Sequence, residues 1–218
     1  HRDRGNPLEL FQVWINLPRK RKFAPPWFRM FWKEQVPLFT HTDNHGRQTV
    51  VNLIAGSIGP VAALPPGPDS WAAEPENEVA IWTIRMEPKA TWNLPTASAE
   101  ASRNLFFYRG DLLEAGAVAI PEKHSFEVPA DHNLTLRNGN QEALLVLLQG
   151  KPIMEPMVQY GPFVMNTDAE IREAFADFRA TGFGGWPWET DDHIHSREAG
   201  RFASYRDGTI DKPENLPV

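Results

Sequence analysis

Short apolar runs, interrupted at regular intervals by turn-forming residues, occupy positions 78 to 150 of this chain. Glycine and proline interrupt strands and favour turns, and the chain holds 15 glycines and 20 prolines. Short strands spaced in this way favour a barrel or a sandwich over a helical bundle. The predicted strands are 79–86, 105–108, 117–120, 125–128, 133–137 and 143–148.

Two further strands are predicted nearer the N terminus. Residues 8–17 alternate, with Phe11, Val13 and Ile15 on one face, and Pro18 ends the run. The basic run 19–22 is interpreted as a solvated loop, with a nuclear import signal or an anion patch as alternatives. Residues 43–46 predict a turn that leads into a strand at 49–55. We expect the segment 25–38 between them to pack over a barrel mouth.

Turn chemistry predicts one hairpin, and capping chemistry predicts one helix. Asn138 and Gly139 both tolerate positive φ, which predicts a tight hairpin between the strands on either side. Thr167 and Glu170 form a capping-box pattern, so a helix is predicted to start there and to end at Gly182.

The predicted helix has one apolar face. Ile171, Phe175 and Phe178 repeat at helical spacing. We expect them to be buried against a barrel.

Composition excludes several classes of function. The net charge of −6 argues against direct nucleic-acid binding, which needs a basic surface. The chain has no cysteine, so thiolate metal sites, disulfides and cysteine nucleophiles are excluded. No apolar run approaches the ~20 residues of a membrane span, and the first residues do not resemble a signal peptide. The sequence therefore predicts a cytoplasmic protein, or a nuclear one in a eukaryote.

A longer motif resembles a known family. Residues 150–166 read GKPIMEPMVQYGPFVMN, and they precede the predicted helix and the segment GGWPW at 184–188. This order is similar to that of the pirins, which are two-barrel cupins. Residues 10–18, LFQVWINLP, resemble the strand that ends the first pirin barrel, and residues 104–110 resemble the opening of the second.

The resemblance implies a mainly β bicupin with two β-barrel (jelly-roll) domains, the first incomplete in this chain, plus one C-terminal α-helix. It assigns residues 1–64 to the remainder of the N-terminal barrel and 65–78 to a linker. It assigns 79–165 to the C-terminal barrel and 166–218 to the helix and tail. An incomplete barrel exposes strand edges, so the resemblance also implies a complementary N-terminal fragment as a possible partner.

The motif supplies the candidate site residues. Glu155, Gln159, Tyr160 and Phe163 are expected at the junction between the barrels, where the polar side chains could form a cluster. The alternative is structural, with the glycine and prolines of the motif guiding the backbone from barrel to helix.

Pirins as a family hold one iron in the first barrel through three His and one Glu. Neither of the two sequence motifs that carry these ligands matches a position here. Fe(II) is therefore expected in the intact family member, and no ligand is assigned in this chain.

Other histidines in the chain are alternative candidates for metal ligands. His41, Asp43 and His45 alternate and could share a face, but their neighbours indicate a turn. His193 and His195 have cupin-like spacing, although they lie in the tail. In the second barrel, Phe126 stands two residues after His124, where a cupin would have its second histidine ligand.

The resemblance implies two kinds of function. The first is an iron-dependent dioxygenase of the quercetin 2,3-dioxygenase type in the intact protein, acting on a flavonoid-like small molecule, with this chain alone not catalytic. The chain would supply cleft walls through Trp14, Trp27, Trp32 and Phe163. The alternative is a redox-sensing interaction protein or transcription cofactor with a protein partner.

Overall fold

Two antiparallel sheets enclose the core. The computed structural model describes residues 3–186, 188–190 and 194–213. One sheet has six strands in the order β1-β2-β5-β12-β7-β10, and the other has four in the order β6-β11-β8-β9. In chain order, these strands are β1 Leu38–Thr42, β2 Gln48–Ala55, β5 Ala80–Met86, β6 Thr91–Leu94, β7 Ser102–Arg109, β8 Leu112–Ala115, β9 Val118–Pro121, β10 His124–Glu127, β11 Leu134–Asn138 and β12 Ala143–Gly150.

Three short hairpins lie outside these sheets. They consist of β3 Ser57–Ile58 with β4 Val61–Ala62, β13 Val158–Tyr160 with β14 Phe163–Met165, and β15 Ala203–Ser204 with β16 Ile210–Asp211. The only α-helix among the described residues is α1 Asp168–Thr181. The mainly β fold with one C-terminal helix is therefore confirmed. The predicted linker contains two short 3-10 turns, Trp71–Ala73 and Pro75–Asn77.

The core lies between the two sheets because buried and exposed side chains alternate along their strands, and the buried ones point inward. Leu105 and Phe107 of β7 are fully buried, and they pack in one cluster with Trp92 of β6 and Leu136 of β11. Burying a large apolar side chain contributes roughly 1.5–3 kcal/mol. The six strands predicted from 79 to 148 all form, because each has an apolar face that this cluster covers.

The strands β1 and β2 extend the sheet of the C-terminal barrel. Val51 of β2 is in register with Ile84 of β5, and both side chains join the core cluster. The predicted first barrel, 1–64, includes both strands, whereas β2 pairs here with β5 of the predicted C-terminal barrel in one sheet. The remaining domain boundaries stay predictions.

The strand predicted at 8–17 does not form. Residues 5–18 have no regular secondary structure, and Leu8 and Leu10 are 87% and 76% exposed. A strand needs a hydrogen-bonded neighbour, and none of the described strands pairs with this segment. Side chains hold it instead on the outer face of the six-stranded sheet, where the rings of Phe11 and Tyr108 meet edge to face at 5.0 Å.

The hairpin predicted at Asn138 and Gly139 is also wrong. β11 ends at Asn138 in the four-stranded sheet, whereas β12 belongs to the six-stranded sheet. The chain crosses between sheets here, and the Asn138 amide donates to the carbonyls of Met86 and Glu87 at 3.1 and 2.8 Å. A Cβ at Gly139 would approach the carbonyl oxygen of Leu112 to 2.8 Å, so close backbone approach explains this glycine.

The predicted helix is confirmed at both ends. The Thr167 hydroxyl accepts a hydrogen bond from the amide of Glu170 at 3.2 Å. Gly182 adopts φ of 62°, and its amide donates to the Phe178 carbonyl. Such a left-handed residue commonly ends a helix, and glycine adopts it without strain.

The packing of α1 differs from the prediction. The helix contacts the β13–β14 hairpin, and its buried residues are Ile171 and Ala174. Phe175 is half-buried and Phe178 is 42% exposed. The helix therefore covers a hairpin beside the barrel. This hairpin is too small to bury all three side chains that were predicted to be buried. No described helix is long and apolar enough to cross a membrane.

Candidate functional site

A cleft of about 760 Å³ lies against the outer face of the six-stranded sheet. Its floor is one row of the sheet, in which Leu148 of β12 is in register with Ile81 of β5 and Asn104 of β7. Its walls are the N-terminal segment 13–16 and the motif segment 150–157. The volume lies in the range that small-molecule sites occupy.

The walls of the cleft are mainly apolar. Trp14, which is 61% exposed, faces it together with Met154 and Met157. Methionine side chains are flexible and make favourable contacts with aromatic rings. Asn16 and Asn104 add amide groups that can donate and accept hydrogen bonds. The arrangement suits a flat aromatic molecule that carries polar substituents.

A polar network fixes the N-terminal wall. The backbone amide of Arg19 donates to Glu155 Oε2 at 2.7 Å, and the Arg19 guanidinium pairs with Glu170 at 2.7 Å. Lys22 Nζ donates to Asn16 Oδ1 at 2.5 Å. Burial lowers the pKa of Lys22, and the charges of Glu155 and Glu170 oppose that shift. We call these five residues the junction cluster.

Asn166 connects the junction cluster to the start of the helix. Its side chain is buried, and its amide donates to Glu155 Oε2 at 3.0 Å and to the Pro156 carbonyl at 2.9 Å. Its backbone amide donates to Glu170 Oε2 at 3.1 Å. Desolvation disfavours the Glu170 carboxylate, but hydrogen bonds from Thr167 and Asn166 and the ion pair with Arg19 together outweigh it, so the pKa of Glu170 is lowered.

The four motif residues lie in two places. Glu155 lines the cleft, and Gln159 lines a neighbouring cavity of about 360 Å³ that shares Trp14 with it. Tyr160 and Phe163 instead pack on Phe175 of the helix, with ring centroids 5.7 and 5.0 Å apart. The structure therefore brings Glu155 to the cleft and Gln159 to the cavity beside it, and it places the two aromatic residues at neither. A position between two barrels stays a prediction for all four.

Only Trp14 of the four predicted wall aromatics lines the cleft. Trp27 packs over Gly67, where an added Cβ would meet its ring at 2.9 Å. Trp32 is buried, and its indole donates to Asp211 Oδ2 at 3.1 Å. Phe163 packs under the helix, as described above. These three residues do not line this cleft, and a role for them in the wall of a substrate cleft that faces the iron stays a prediction.

The turn that holds His41, Asp43 and His45 is stabilised by its carboxylate. Asp43 Oδ1 accepts from the amides of His45 and Arg47 at 2.8 and 3.0 Å, and Oδ2 accepts from Thr91 at 3.1 Å. Both oxygens are therefore used by the backbone. No group of three or more His, Asp or Glu that could hold a metal exists among the described residues.

Neither His124 nor His195 belongs to such a group in the part of the chain that the structure describes. His124 Nδ1 lies 3.0 Å from the Glu122 carbonyl, and the Phe126 ring packs against the core. His195 packs edge to face on Phe202 at 4.6 Å. His193 lies outside the described residues.

Sequence reasoning missed the partners of Glu155. Lys22 lies in a basic run that resembles a solvated loop, and Asn166 ends the motif as one polar residue among several. The spacing of 136 residues between Arg19 and Glu155 carries no local signal. Only the fold brings them together.

The architecture is shared with proteins of known structure. A crystal structure of quercetin 2,3-dioxygenase from Acinetobacter baumannii superposes with a TM-score of 0.66 at 22% identity, covering 79% of this chain and 56% of that one. A second structure of that name from the same organism gives 0.60 at 14% identity, covering 84% and 56%. At these identities the likeness shows the fold.

The family follows from sequence. Residues 81–184 match the pirin C-terminal cupin domain. A Vibrio cholerae protein whose name proposes a quercetin 2,3-dioxygenase is 34% identical over 176 residues, which cover 81% of this chain and 59% of the relative. Pirin of Mus musculus is 28% identical over 191 residues, covering 82% of this chain and 59% of that protein. Residues 81–184 therefore form a domain of the pirin C-terminal cupin family, and the chain spans less than two thirds of the length of these relatives.

Proposed function

We propose that the protein containing this chain is a dioxygenase of the quercetin 2,3-dioxygenase type, which oxidises a flavonoid-like substrate with dioxygen. The observation that carries the proposal is the 34% identity with the Vibrio cholerae protein whose name proposes that activity. In this proposal the chain binds and orients the substrate, and it is not catalytic by itself.

The shape and chemistry of the cleft support a flavonoid-like ligand. A flavonol is flat and aromatic, so it can stack on Trp14 between the two methionine side chains. Its hydroxyl and carbonyl groups would find hydrogen-bond partners at Asn16 and Asn104. The floor of Ile81 and Leu148 excludes water from one side of the ring system.

The described residues do not fit an iron site. The acidic member of the one histidine-rich turn, Asp43, has both oxygens engaged by backbone amides. In the proposal, Fe(II) is held by residues that this chain does not supply, as the resemblance to pirins implies. Non-haem iron with histidine and carboxylate ligands is suited to oxygenase chemistry. No reaction step is assigned to residues of this chain.

Oxygen uptake tests the proposed function. The 218-residue chain and a form extended at the N terminus to the length of its relatives are each mixed with quercetin in an oxygen electrode. We expect uptake only from the extended form, with loss after chelation and recovery with Fe(II). Absence of quercetin-dependent uptake from an iron-loaded extended form would overturn the proposal.

The exposed apolar surface favours a second function as an interaction protein or transcription cofactor. Leu8, Leu10 and Met154 are 87%, 76% and 86% exposed. A partner protein could bury these apolar side chains on binding. Such a partner would be another protein or an N-terminal fragment. Leu10→Asp should then weaken partner binding while leaving quercetin oxidation unchanged. A nuclear rather than cytoplasmic location would favour this second function.

A further inference from the structure

A second cavity, of about 450 Å³, lies at one end of the barrel. It adjoins a row of the sheet in which Gln149 of β12 is in register with Ala80 of β5 and Arg103 of β7. This row is next to the row that forms the cleft floor. Successive side chains of a strand point to opposite faces. The Arg103 side chain therefore points inward, on the face of β7 that also carries Leu105 and Phe107.

Arg103 is held at one edge of its guanidinium. The side chain is 3% exposed, and its Nε donates to Gln149 Oε1 at 2.7 Å. Gln149 Nε2 in turn donates to the Glu78 carbonyl at 2.9 Å, which fixes the glutamine amide. Nη1 is buried and has no hydrogen-bond partner. Nη1 is therefore an unsatisfied buried donor on a residue that lines the cavity.

No carboxylate in the described part of the chain forms a direct ion pair with Arg103. The two carboxylates that line the cavity have other cations, since Glu74 pairs with Arg21 at 2.7 Å and Glu78 lies 3.5 Å from Lys151 Nζ. None of the ion pairs found in the described ranges includes Arg103. Burial lowers its pKa, and the charge of Glu78 opposes that shift, but a guanidinium stays protonated in proteins. Buried charges are normally paired.

We propose that this cavity binds a small aromatic monocarboxylate, whose carboxylate pairs with the Nη edge of the Arg103 guanidinium. Guanidinium and carboxylate form two parallel hydrogen bonds, which is among the stronger polar contacts in proteins. The ring would lie against Trp82 and the small apolar side chains of the lining. A single carboxylate is specified because Arg103 is the one cationic residue among the described residues that line the cavity. The inference stands independently of the proposed dioxygenase activity.

Calorimetric titration of the 218-residue chain with benzoate tests the proposal, with benzamide as the neutral isostere. We expect saturable binding of one benzoate, and at least tenfold weaker binding of benzamide. Arg103→Met should weaken benzoate binding at least tenfold. The matched control is Arg85→Met, which removes an exposed arginine on β5 that pairs with Glu142, and it should bind as the unaltered chain does.

A direct measurement covers the case in which Arg103→Met fails to fold. Nitrogen-15 spectra of the arginine side chains in the unaltered chain should show a saturable benzoate-dependent shift of the Arg103 Nε–H signal. No shift of that signal, or no benzoate binding, would overturn the proposal. Equal binding by a folded Arg103→Met variant would overturn it as well, because the ligand would then occupy a different site.

Discussion

The backbone amide of Arg19 and the carboxylate of Glu155, 136 residues apart in sequence, are joined by a hydrogen bond of 2.7 Å. The same carboxylate oxygen accepts from the buried Asn166 amide at 3.0 Å. One side chain therefore joins the N-terminal segment, the motif and the start of the helix. The N-terminal segment forms one wall of the cleft. Glu155 therefore holds this wall in place through its hydrogen bond to the Arg19 amide.

Replacing Glu155 with alanine should destabilise the chain. The variant leaves the Arg19 amide without this acceptor and removes one of two acceptors from the buried Asn166 amide. We expect a loss of about 1–2 kcal/mol in the free energy of unfolding, measured by urea titration. The control is Glu173→Ala on the exposed face of the helix, which should change stability little. A loss for Glu155→Ala no larger than that of the control would contradict this role.

Phe175→Ala tests the packing of the helix on the β13–β14 hairpin. The ring is half-buried and lies 5.0 Å from Phe163 and 5.7 Å from Tyr160. Truncating a fully buried phenylalanine costs ~3–5 kcal/mol, so we expect about 2 kcal/mol here. Arg172→Ala, on the exposed surface of the same helix, is the control. A loss as large as that of a core phenylalanine would mean that the helix is buried more deeply than described.

The pH dependence of stability tests the Asp43 turn. The amide of Arg47 lowers the pKa of Asp43, burial opposes the shift, and the amides of His45 and Thr91 add to it. A carboxyl whose pKa is lower in the folded state stabilises that state when ionised. This stabilisation is present above about pH 4, the ordinary range of aspartate, and is lost as pH falls through the folded value.

Asp43→Asn removes the titrating group from this turn. The melting temperature of the unaltered chain should exceed that of the variant at neutral pH, and the difference should narrow below about pH 4. Asp177→Asn, on the exposed helix surface, should show neither effect. A difference that stays constant across this pH range would show that the Asp43 charge does not matter.

The barrel strands could be predicted from sequence because their pattern is local. Alternation and turn residues located β5, β7 and β12, and capping chemistry located both ends of the helix. The same pattern failed at residues 8–17, where alternation is present but no strand offers a neighbouring edge. It failed at Asn138 because turn chemistry does not distinguish a hairpin from a crossing between sheets.

The candidate site was less accessible to prediction because its contacts are long-range. Glu155 was identified from the motif, but its partner Arg19 lies at the other end of the chain. The burial of Arg103 could not be predicted from the sequence, because it depends on the strand register that aligns this residue with Gln149. Charged residues in strands are usually exposed, so only the structure reveals this one as buried.

Anaerobic titration of quercetin tests the central claim most directly, because binding is then separated from turnover. The iron-loaded extended form is compared with its Trp14→Ala and Trp27→Ala variants. Trp14 lines the cleft, whereas Trp27 packs on Gly67 away from it. Loss of an aromatic stacking partner is worth about 1.4 kcal/mol, so Trp14→Ala should weaken binding about tenfold, and Trp27→Ala should not. Equal affinity for all three forms would contradict the claim that this chain walls the substrate cleft.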